Sequence, residues 1–207
     1  MSSKGLIFLS VILTLSPALL AQVNFTLSAS MTCPNTDAIA VADLDGDGDV
    51  DIFVTCGVYN QGVANRVYLN QGDGTFVDSG QRLGNLNSFG VALADLDLDG
   101  DIDAFVANGA YSGGNPNKVW INNGQGRFTD SGQSLGHNNT GSVDLADLDG
   151  DGDLDAFACN HPIWQNNHNV GGGHRIWLNN GSGEFSDTDQ SLGNGPIAFC
   201  LPGRYRC

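Results

Sequence analysis

Three short segments of the chain are dense in aspartate, and each could bind a cation. They share one nine-residue pattern, with aspartate at positions 1, 3, 5, 7 and 9 and glycine at position 6. Carboxylates this close together repel one another unless a cation lies between them, and Ca²⁺ takes about six to eight oxygen ligands. The candidate metal-binding residues are Asp43, Asp45, Asp47, Asp49, Asp51, Asp95, Asp97, Asp99, Asp101, Asp103, Asp147, Asp149, Asp151, Asp153 and Asp155.

The pattern matches the first nine positions of an EF-hand calcium loop, in which positions 1, 3 and 5 supply side-chain oxygens. Glycine at position 6 permits the sharp turn. Position 7 coordinates through its backbone carbonyl, so the side chains of Asp49, Asp101 and Asp153 are expected to face solvent. Position 12 is valine or alanine instead of glutamate, and strand-like sequence follows each segment. The sequence therefore predicts about three Ca²⁺ ions in loops between strands, completed by position 9 and water. Mg²⁺ is disfavoured because it resists dehydration.

These segments also explain the acidity of the chain. The 207 residues include 23 acidic and 8 basic ones, which gives a formal net charge of −15. Fifteen of the acidic residues lie in the three segments, so the rest of the chain is balanced. Without a basic stripe, nucleic-acid binding is excluded. A hydrophobic content of 41% excludes a disordered acidic chain, and 29 glycines indicate a turn-rich fold.

Internal repetition predicts the elements that position the loops. The tetrapeptide Ala-Asp-Leu-Asp begins at Ala42 and recurs at Ala94 and Ala146, two steps of 52 residues. Each unit has four short runs rich in β-branched and aromatic residues, which is the period of a β-propeller blade. We therefore expect an all-β fold of three four-stranded antiparallel blades, at about residues 38–88, 89–140 and 141–195. The third unit carries a five-residue insertion between His161 and Gly173.

Over about residues 25–193, the sequence resembles the FG-GAP/VCBS repeat family, whose blades also form the propellers of integrin α-subunits. The resemblance rests on residues 91–97, 103–108 and 117–128, with the family's Phe-Gly element at 89–90. No Gly-Ala-Pro follows in any copy, so the sequence is most similar to the bacterial VCBS type. The resemblance implies that each aspartate loop joins the first two strands of a blade and binds Ca²⁺. It also implies a secreted or cell-surface protein used for adhesion or carbohydrate binding.

Three units leave a propeller ring incomplete, because closed propellers have about four to eight blades. A fourth aspartate segment is due near Arg204, but residues 196–207 form a divergent tail instead. Three interpretations stay open. The chain is a fragment of a longer propeller, it assembles with other chains to complete a ring, or it stands as an open arc of three blades.

The N-terminal segment predicts the location of the protein, and the cysteines predict its disulfides. Residues 1–21 have the positive, apolar and small-residue regions of a secretory signal peptide, which leaves residues 22–195 as the repeat region. The mature protein is then secreted or at the cell surface, with no membrane span. That compartment permits disulfides, and Cys33–Cys56 and Cys200–Cys207 are the expected pairs. The fifth cysteine leaves at least one thiol unpaired within the chain.

No catalytic motif is present, so the sequence predicts a protein that is not an enzyme. The irregular stretch of the third unit contains His161, Trp164, His168 and His174, and a surface loop is favoured there over a metal or sugar site. The leading hypothesis is a secreted calcium-binding module for adhesion or ligand binding, with an extracellular protein or carbohydrate as partner. The alternatives are a non-catalytic, carbohydrate-binding part of a polysaccharide-active enzyme, or a structural fragment.

Overall fold

A computed structural model of the chain shows only β-structure in the residues that it describes. These are residues 33, 35–58, 61–110, 114–165, 168–170 and 172–193, with the backbone alone at 58, 61, 163–165 and 168–170. Fifteen strands and no helix occur in this part of the chain. The predicted all-β class is therefore confirmed.

The strands follow the repeat. The first unit contains β1 (Thr36–Ala42), β2 (Asp51–Val58), β3 (Gln61–Gly62), β4 (Arg66–Asn70) and β5 (Phe76–Asp78). The second contains β6 (Ser88–Ala94), β7 (Asp103–Asn108), β8 (Asn115–Asn122) and β9 (Phe128–Asp130). The third contains β10 (Leu135–Ala146), β11 (Asp155–His161), β12 (Ile163–Gln165), β13 (His168–Val170), β14 (Arg175–Asn179) and β15 (Phe185–Asp187).

Each unit is a four-stranded antiparallel blade. The first has the order β1-β2-β4-β5, with β3 as a short addition to β2. The other two blades are joined in one sheet, because the start of β10 pairs with β8 before the strand continues into the third blade. The insertion of the third unit forms the small β12–β13 hairpin. The described residues contain three blades that do not close a ring, which confirms the incomplete, propeller-like arrangement.

Small residues allow the first strands of the blades to lie close together. Strand β6 contacts both β1 and β10, so the first strands of all three blades are neighbours. At Gly90 on β6, an added Cβ would lie 3.0 Å from the backbone of Ser142 on β10. This close approach explains the glycine and alanine content of these strands.

The core consists of two equivalent layers, each between consecutive blades. In each layer four side chains of one blade pack against four of the next at equivalent positions of the repeat, and the second layer also includes Ala107 and Val143. The first layer contains Leu44, Phe53, Val67 and Leu83 against Ala104, Val106, Trp120 and Phe128. The second contains Leu96, Phe105, Val119 and Leu135 against Ala156, Ala158, Trp177 and Phe185. In both layers two phenylalanine rings meet edge to face, at centroid distances of 5.6 and 5.2 Å. Burial of these apolar side chains is the main force that stacks the blades.

A disulfide lies on the side of the first blade that faces no other blade among the described residues. Cys33 is bonded to Cys56 of β2, as the sequence led us to expect. Cys33 packs with Val54 and Tyr68 in a third buried cluster. The other expected pair, Cys200–Cys207, lies outside the described residues, and Cys159 is buried within β11.

Candidate metal centres

Each aspartate loop joins the first and second strands of its blade, between β1 and β2, β6 and β7, and β10 and β11. The glycine at position 6 adopts a φ of +92° to +101° in the three loops, a conformation that favours glycine. The carboxylate at position 1 holds this turn together. In the first loop, Asp43 accepts hydrogen bonds from the backbone N–H of Gly46 and Gly48 at 2.8 and 2.9 Å. Hydrogen bonds within the chain therefore help to define the shape of this loop.

Nine of the fifteen predicted aspartates come together in three groups. Within each group, one carboxylate oxygen per residue lies within 4.8 Å of the others. The groups are Asp43, Asp45 and Asp51 in the first loop, Asp95, Asp97 and Asp99 in the second, and Asp147, Asp149 and Asp155 in the third. Each of these clusters could hold one metal ion.

The position-9 aspartates are fully buried and join each loop to the third strand of its blade. Asp51 accepts hydrogen bonds from the backbone N–H of Leu44 at 2.8 Å and of Asn70 at 2.7 Å. Asp103 and Asp155 repeat both bonds with the equivalent residues. These carboxylates therefore have a structural role, and Asp51 and Asp155 also belong to the metal-competent groups.

Two oxygens in the loops fit a cation particularly well. Oδ1 of Asp45 and Oδ1 of Asp95 are buried and have no hydrogen-bond partner in the described part of the chain. A buried carboxylate oxygen without a donor costs free energy. A metal ion would remove this cost by accepting the lone pairs. The oxygen-only donor set therefore fits a hard cation.

The electrostatics of the loops agree with this fit. Burial, followed by the nearby charge of Asp51, raises the pKa of Asp45 above its usual value. Burial and the charge of Asp99 likewise raise the pKa of Asp97, and burial raises the pKa of Asp103 to about 6. The raised pKa values mean that burial and neighbouring carboxylates disfavour the negative charge of these side chains. A bound cation would reverse this.

The six remaining predicted aspartates lie outside the three groups. Asp47 and Asp151 at position 5 each accept a backbone N–H within the loop, and Asp103 makes the position-9 bonds described above. The position-7 carboxylates, expected to face solvent, are half-buried against the hairpin between the last two strands of their blade. An added Cβ at Gly124 would lie 2.5 Å from the carboxylate of Asp101. Position 124 of this hairpin therefore requires glycine.

Each loop of the first two blades is also bonded to the blade that follows it, by residues that the sequence analysis missed. Nδ2 of Asn122 donates to the carbonyl of Leu44 at 2.8 Å, and Gly126 N–H donates to the same oxygen at 2.8 Å. Nδ2 of Asn179 donates in the same way to Leu96 at 2.8 Å. Since Leu44 and Leu96 are position 2 of their loops, the metal centres and the blade contacts share one segment.

A second missed contact uses glutamine. Gln81 donates to the carbonyl of Gly126 at 2.6 Å and accepts from the N–H of Phe128 at 2.8 Å. Gln133 makes the same two bonds to Gly183 and Phe185 in the third blade. The signal in the sequence is that these polar residues recur at equivalent positions. Gln81 and Gln133 are 52 residues apart, and Asn122 and Asn179 are 57 apart because of the five-residue insertion.

The histidines of the third unit have no cation-binding arrangement in the described residues. His174 is buried, and its Nδ1 accepts the backbone N–H of Asn160 at 3.1 Å. Asn117 makes the equivalent bond in the second blade, so His174 serves as a structural acceptor. The side chains of Trp164 and His168 lie outside the described residues.

These features define a class of protein, namely a blade-repeat protein with an aspartate loop in each blade. The model of the FG-GAP-like repeat matches residues 43–106 and 95–158, which is more than half of the chain, so the protein belongs to the FG-GAP-like repeat family. Each match runs from the first aspartate of one loop into the second strand of the next blade. FG-GAP repeats suggest a propeller-like module for ligand binding or adhesion, and the family is typically non-catalytic.

A search among curated proteins found no match to this chain. Within the described part of the chain, no helix has the length and apolarity needed to cross a membrane.

Proposed function

We propose that the protein is a secreted calcium-binding module in which one Ca²⁺ in each blade stabilises the loop, and that the blades bind an extracellular protein or carbohydrate. The observation that carries the calcium assignment is the pair of buried, unpartnered carboxylate oxygens in Asp45 and Asp95. Calcium accounts for both through direct coordination.

The chemistry of the loops favours Ca²⁺ over other cations. The donors on offer are carboxylate and carbonyl oxygens, which suit hard cations rather than zinc or copper. The loops follow the first nine positions of the EF-hand pattern, and these positions wrap a flexible oxygen shell. Mg²⁺ demands a stricter octahedral shell and keeps its waters, so it fits these loops less well.

The expected role of the ion is structural. Extracellular calcium modules bind with dissociation constants of about 10⁻⁴–10⁻³ M. At about 1 mM free Ca²⁺ and a dissociation constant of about 10⁻⁴ M, each site adds about 1.4 kcal/mol to the free energy of unfolding. Three such sites add about 4 kcal/mol, which is a large fraction of the net stability of a small domain.

Thermal unfolding tests this role. The melting temperature is measured in Ca²⁺, in Mg²⁺ and in EDTA at equal ionic strength. We expect the largest stabilisation in Ca²⁺ and a smaller one in Mg²⁺. Asp45→Asn is expected to reduce the calcium-dependent shift, whereas Asp73→Asn, at an exposed hairpin position outside the loops, keeps it. Equal melting temperatures in Ca²⁺ and EDTA would refute the structural role.

The partner is an independent part of the proposal. The signal-like residues 1–21 and the propeller-like module support export and extracellular binding. A glycan array and an array of extracellular matrix proteins, both probed with the calcium-loaded protein, separate the two ligand classes. A defined polysaccharide hit favours a carbohydrate-binding role beside an enzyme, and protein binding favours adhesion. Binding to neither array would reject the ligand-binding part, while the calcium result stands separately.

A further inference from the structure

The third blade exposes a surface that the first two blades bury. Leu44 and Leu96, at position 2 of the first two loops, are 1% and 0% exposed because the next blade covers them. Their counterpart Leu148 is 45% exposed. Leu83 and Leu135 are both 4% exposed, whereas their counterpart Leu192 is 40% exposed. The same side chains are therefore buried wherever a following blade is present.

The polar groups of this surface show the same difference. Gln81 and Gln133 each make two hydrogen bonds to the following blade. Gln190 holds the equivalent position in the third blade, and its side chain is exposed. The backbone carbonyls of Leu44 and Leu96 accept an asparagine amide of the following blade. The third blade thus presents the same surface that forms the interface with a following blade twice within the chain. We call Leu148, Gln190 and Leu192 the open face.

We propose that the open face binds the outer hairpin of the first blade, residues 70–76, of a second copy of this chain. The open face is equivalent to the surfaces that form the two internal interfaces, and each of those surfaces contacts the outer hairpin of the next blade. Among the described residues, the only such hairpin without a preceding blade is that of the first blade. A second copy therefore supplies the matching half.

The outer hairpin of the first blade carries the required groups. Asn70 corresponds to Asn122, and both amides donate to a carbonyl of their own blade, that of Val50 at 3.2 Å and that of Ile102 at 3.0 Å. Asn122 also donates to the preceding blade, and the described residues contain no preceding blade for Asn70 to contact. Phe76 corresponds to Phe128, whose backbone N–H is bonded to Gln81 in the internal interface. In a second copy, Asn70 would donate to the carbonyl of Leu148, and the N–H of Phe76 would donate to Gln190.

The inner part of the same side of the first blade is already covered. Val54 and Tyr68 are buried in a cluster with Cys33, which is held there by its disulfide. The contact between copies is therefore centred on the outer hairpin, which reaches Leu148 and Gln190, and Leu192 lies at its edge. Such a head-to-tail contact between copies forms either a closed ring or an open chain of copies. Two copies of the three described blades give six, which is within the range of closed propellers.

Size-exclusion chromatography with light scattering tests the proposal on the full secreted chain in Ca²⁺. At about 100 μM, an interface with a dissociation constant of about 10 μM is mostly occupied. We expect a mass of two or more protomers that falls on dilution. Leu148→Asp should shift the protein to monomer. Gln190→Ala, which changes the surface and spares the core, should do the same. Leu98→Asp is the matched control, because Leu98 is 61% exposed and also lies between two loop aspartates. It should leave the mass unchanged.

Mixing two variants identifies the partner face. Leu148→Asp and Asn70→Asp should each weaken association alone. An equal mixture should restore dimers, because the intact open face of one variant meets the intact outer hairpin of the other. A mixture that stays monomeric, association that survives Asn70→Asp, or a monomeric wild-type protein at about 100 μM would each overturn the proposal. The readout does not depend on any ligand, so its failure leaves the calcium result untouched.

Discussion

Replacing Asn122 by alanine should show how much the hydrogen bonds between the first two blades contribute to the free energy of unfolding. Asn122 is buried, and its Nδ2 donates to the carbonyls of Leu44 at 2.8 Å and Ile102 at 3.0 Å. Its Oδ1 also accepts the N–H of Asn123 at 2.9 Å. Leu44 keeps a second donor in Gly126, but Ile102 loses the one that the amide supplied. Loss of these buried bonds should lower the free energy of unfolding by about 2–4 kcal/mol.

Asn70→Ala is the matched control within the same chain. Asn70 occupies the same position in the first blade, and its amide bonds to Val50 and Gly72 are exposed. Its removal should therefore cost about 1 kcal/mol or less. Urea unfolding in Ca²⁺, at a protein concentration low enough to keep the chain monomeric, measures both variants. With a denaturant slope of about 2 kcal/mol/M, Asn122→Ala should lower the midpoint by about 1–2 M. Equal midpoints for the two variants would refute the account of the blade interface.

Three further predictions concern other contacts. Gln133→Ala should lower the free energy of unfolding by about 1–3 kcal/mol, because it removes two hydrogen bonds of 2.7 Å to the third blade; an unchanged urea midpoint would contradict this. Gly124→Ala should weaken calcium binding and lower the melting temperature, because its φ is +69° and its Cβ would meet Asp101. Gly132→Ala, with a φ of +83° and nothing within 4 Å, should lower stability without changing calcium affinity in titration calorimetry. Cys33→Ser should lower the free energy of unfolding in urea by about 2–4 kcal/mol, because the disulfide restricts the unfolded chain. Adding reductant to a Cys56→Ser variant, which lacks this disulfide, gives the background effect. A Cys33→Ser effect no larger than that background would contradict the prediction.

The repeat made most of the fold predictable from the sequence. A step of 52 residues with four apolar runs predicts three four-stranded blades, and the same runs appear as antiparallel strands. The short strands β3, β12 and β13 are additions that the runs did not predict. The aspartate pattern also located the loops, because glycine at position 6 and aspartate at positions 1 and 3 allow few conformations. The Cys33–Cys56 disulfide was expected and is present.

The contacts between blades were harder to predict, because they depend on distance in space. Asn122 and Leu44 are 78 residues apart, and nothing in a local pattern joins them. Position 9 was expected to complete the metal shell. In the structure, all three position-9 carboxylates accept two backbone N–H groups. Asp51 and Asp155 also belong to metal-competent groups, whereas the group of the second loop contains Asp99 in place of Asp103. The hydrogen bonds of position 9 depend on the approach of the third strand, which single-sequence periodicity does not describe.

The most direct test of the central claim is to count bound calcium by equilibrium dialysis of the purified protein. The account predicts three Ca²⁺ ions per chain, one for each aspartate group. It also predicts two ions per chain for a variant in which Asp43 and Asp45 are both replaced by asparagine. No bound Ca²⁺ at about 10 mM free ion, well above the expected dissociation constants, would contradict the claim. So would a stoichiometry that the double variant leaves unchanged.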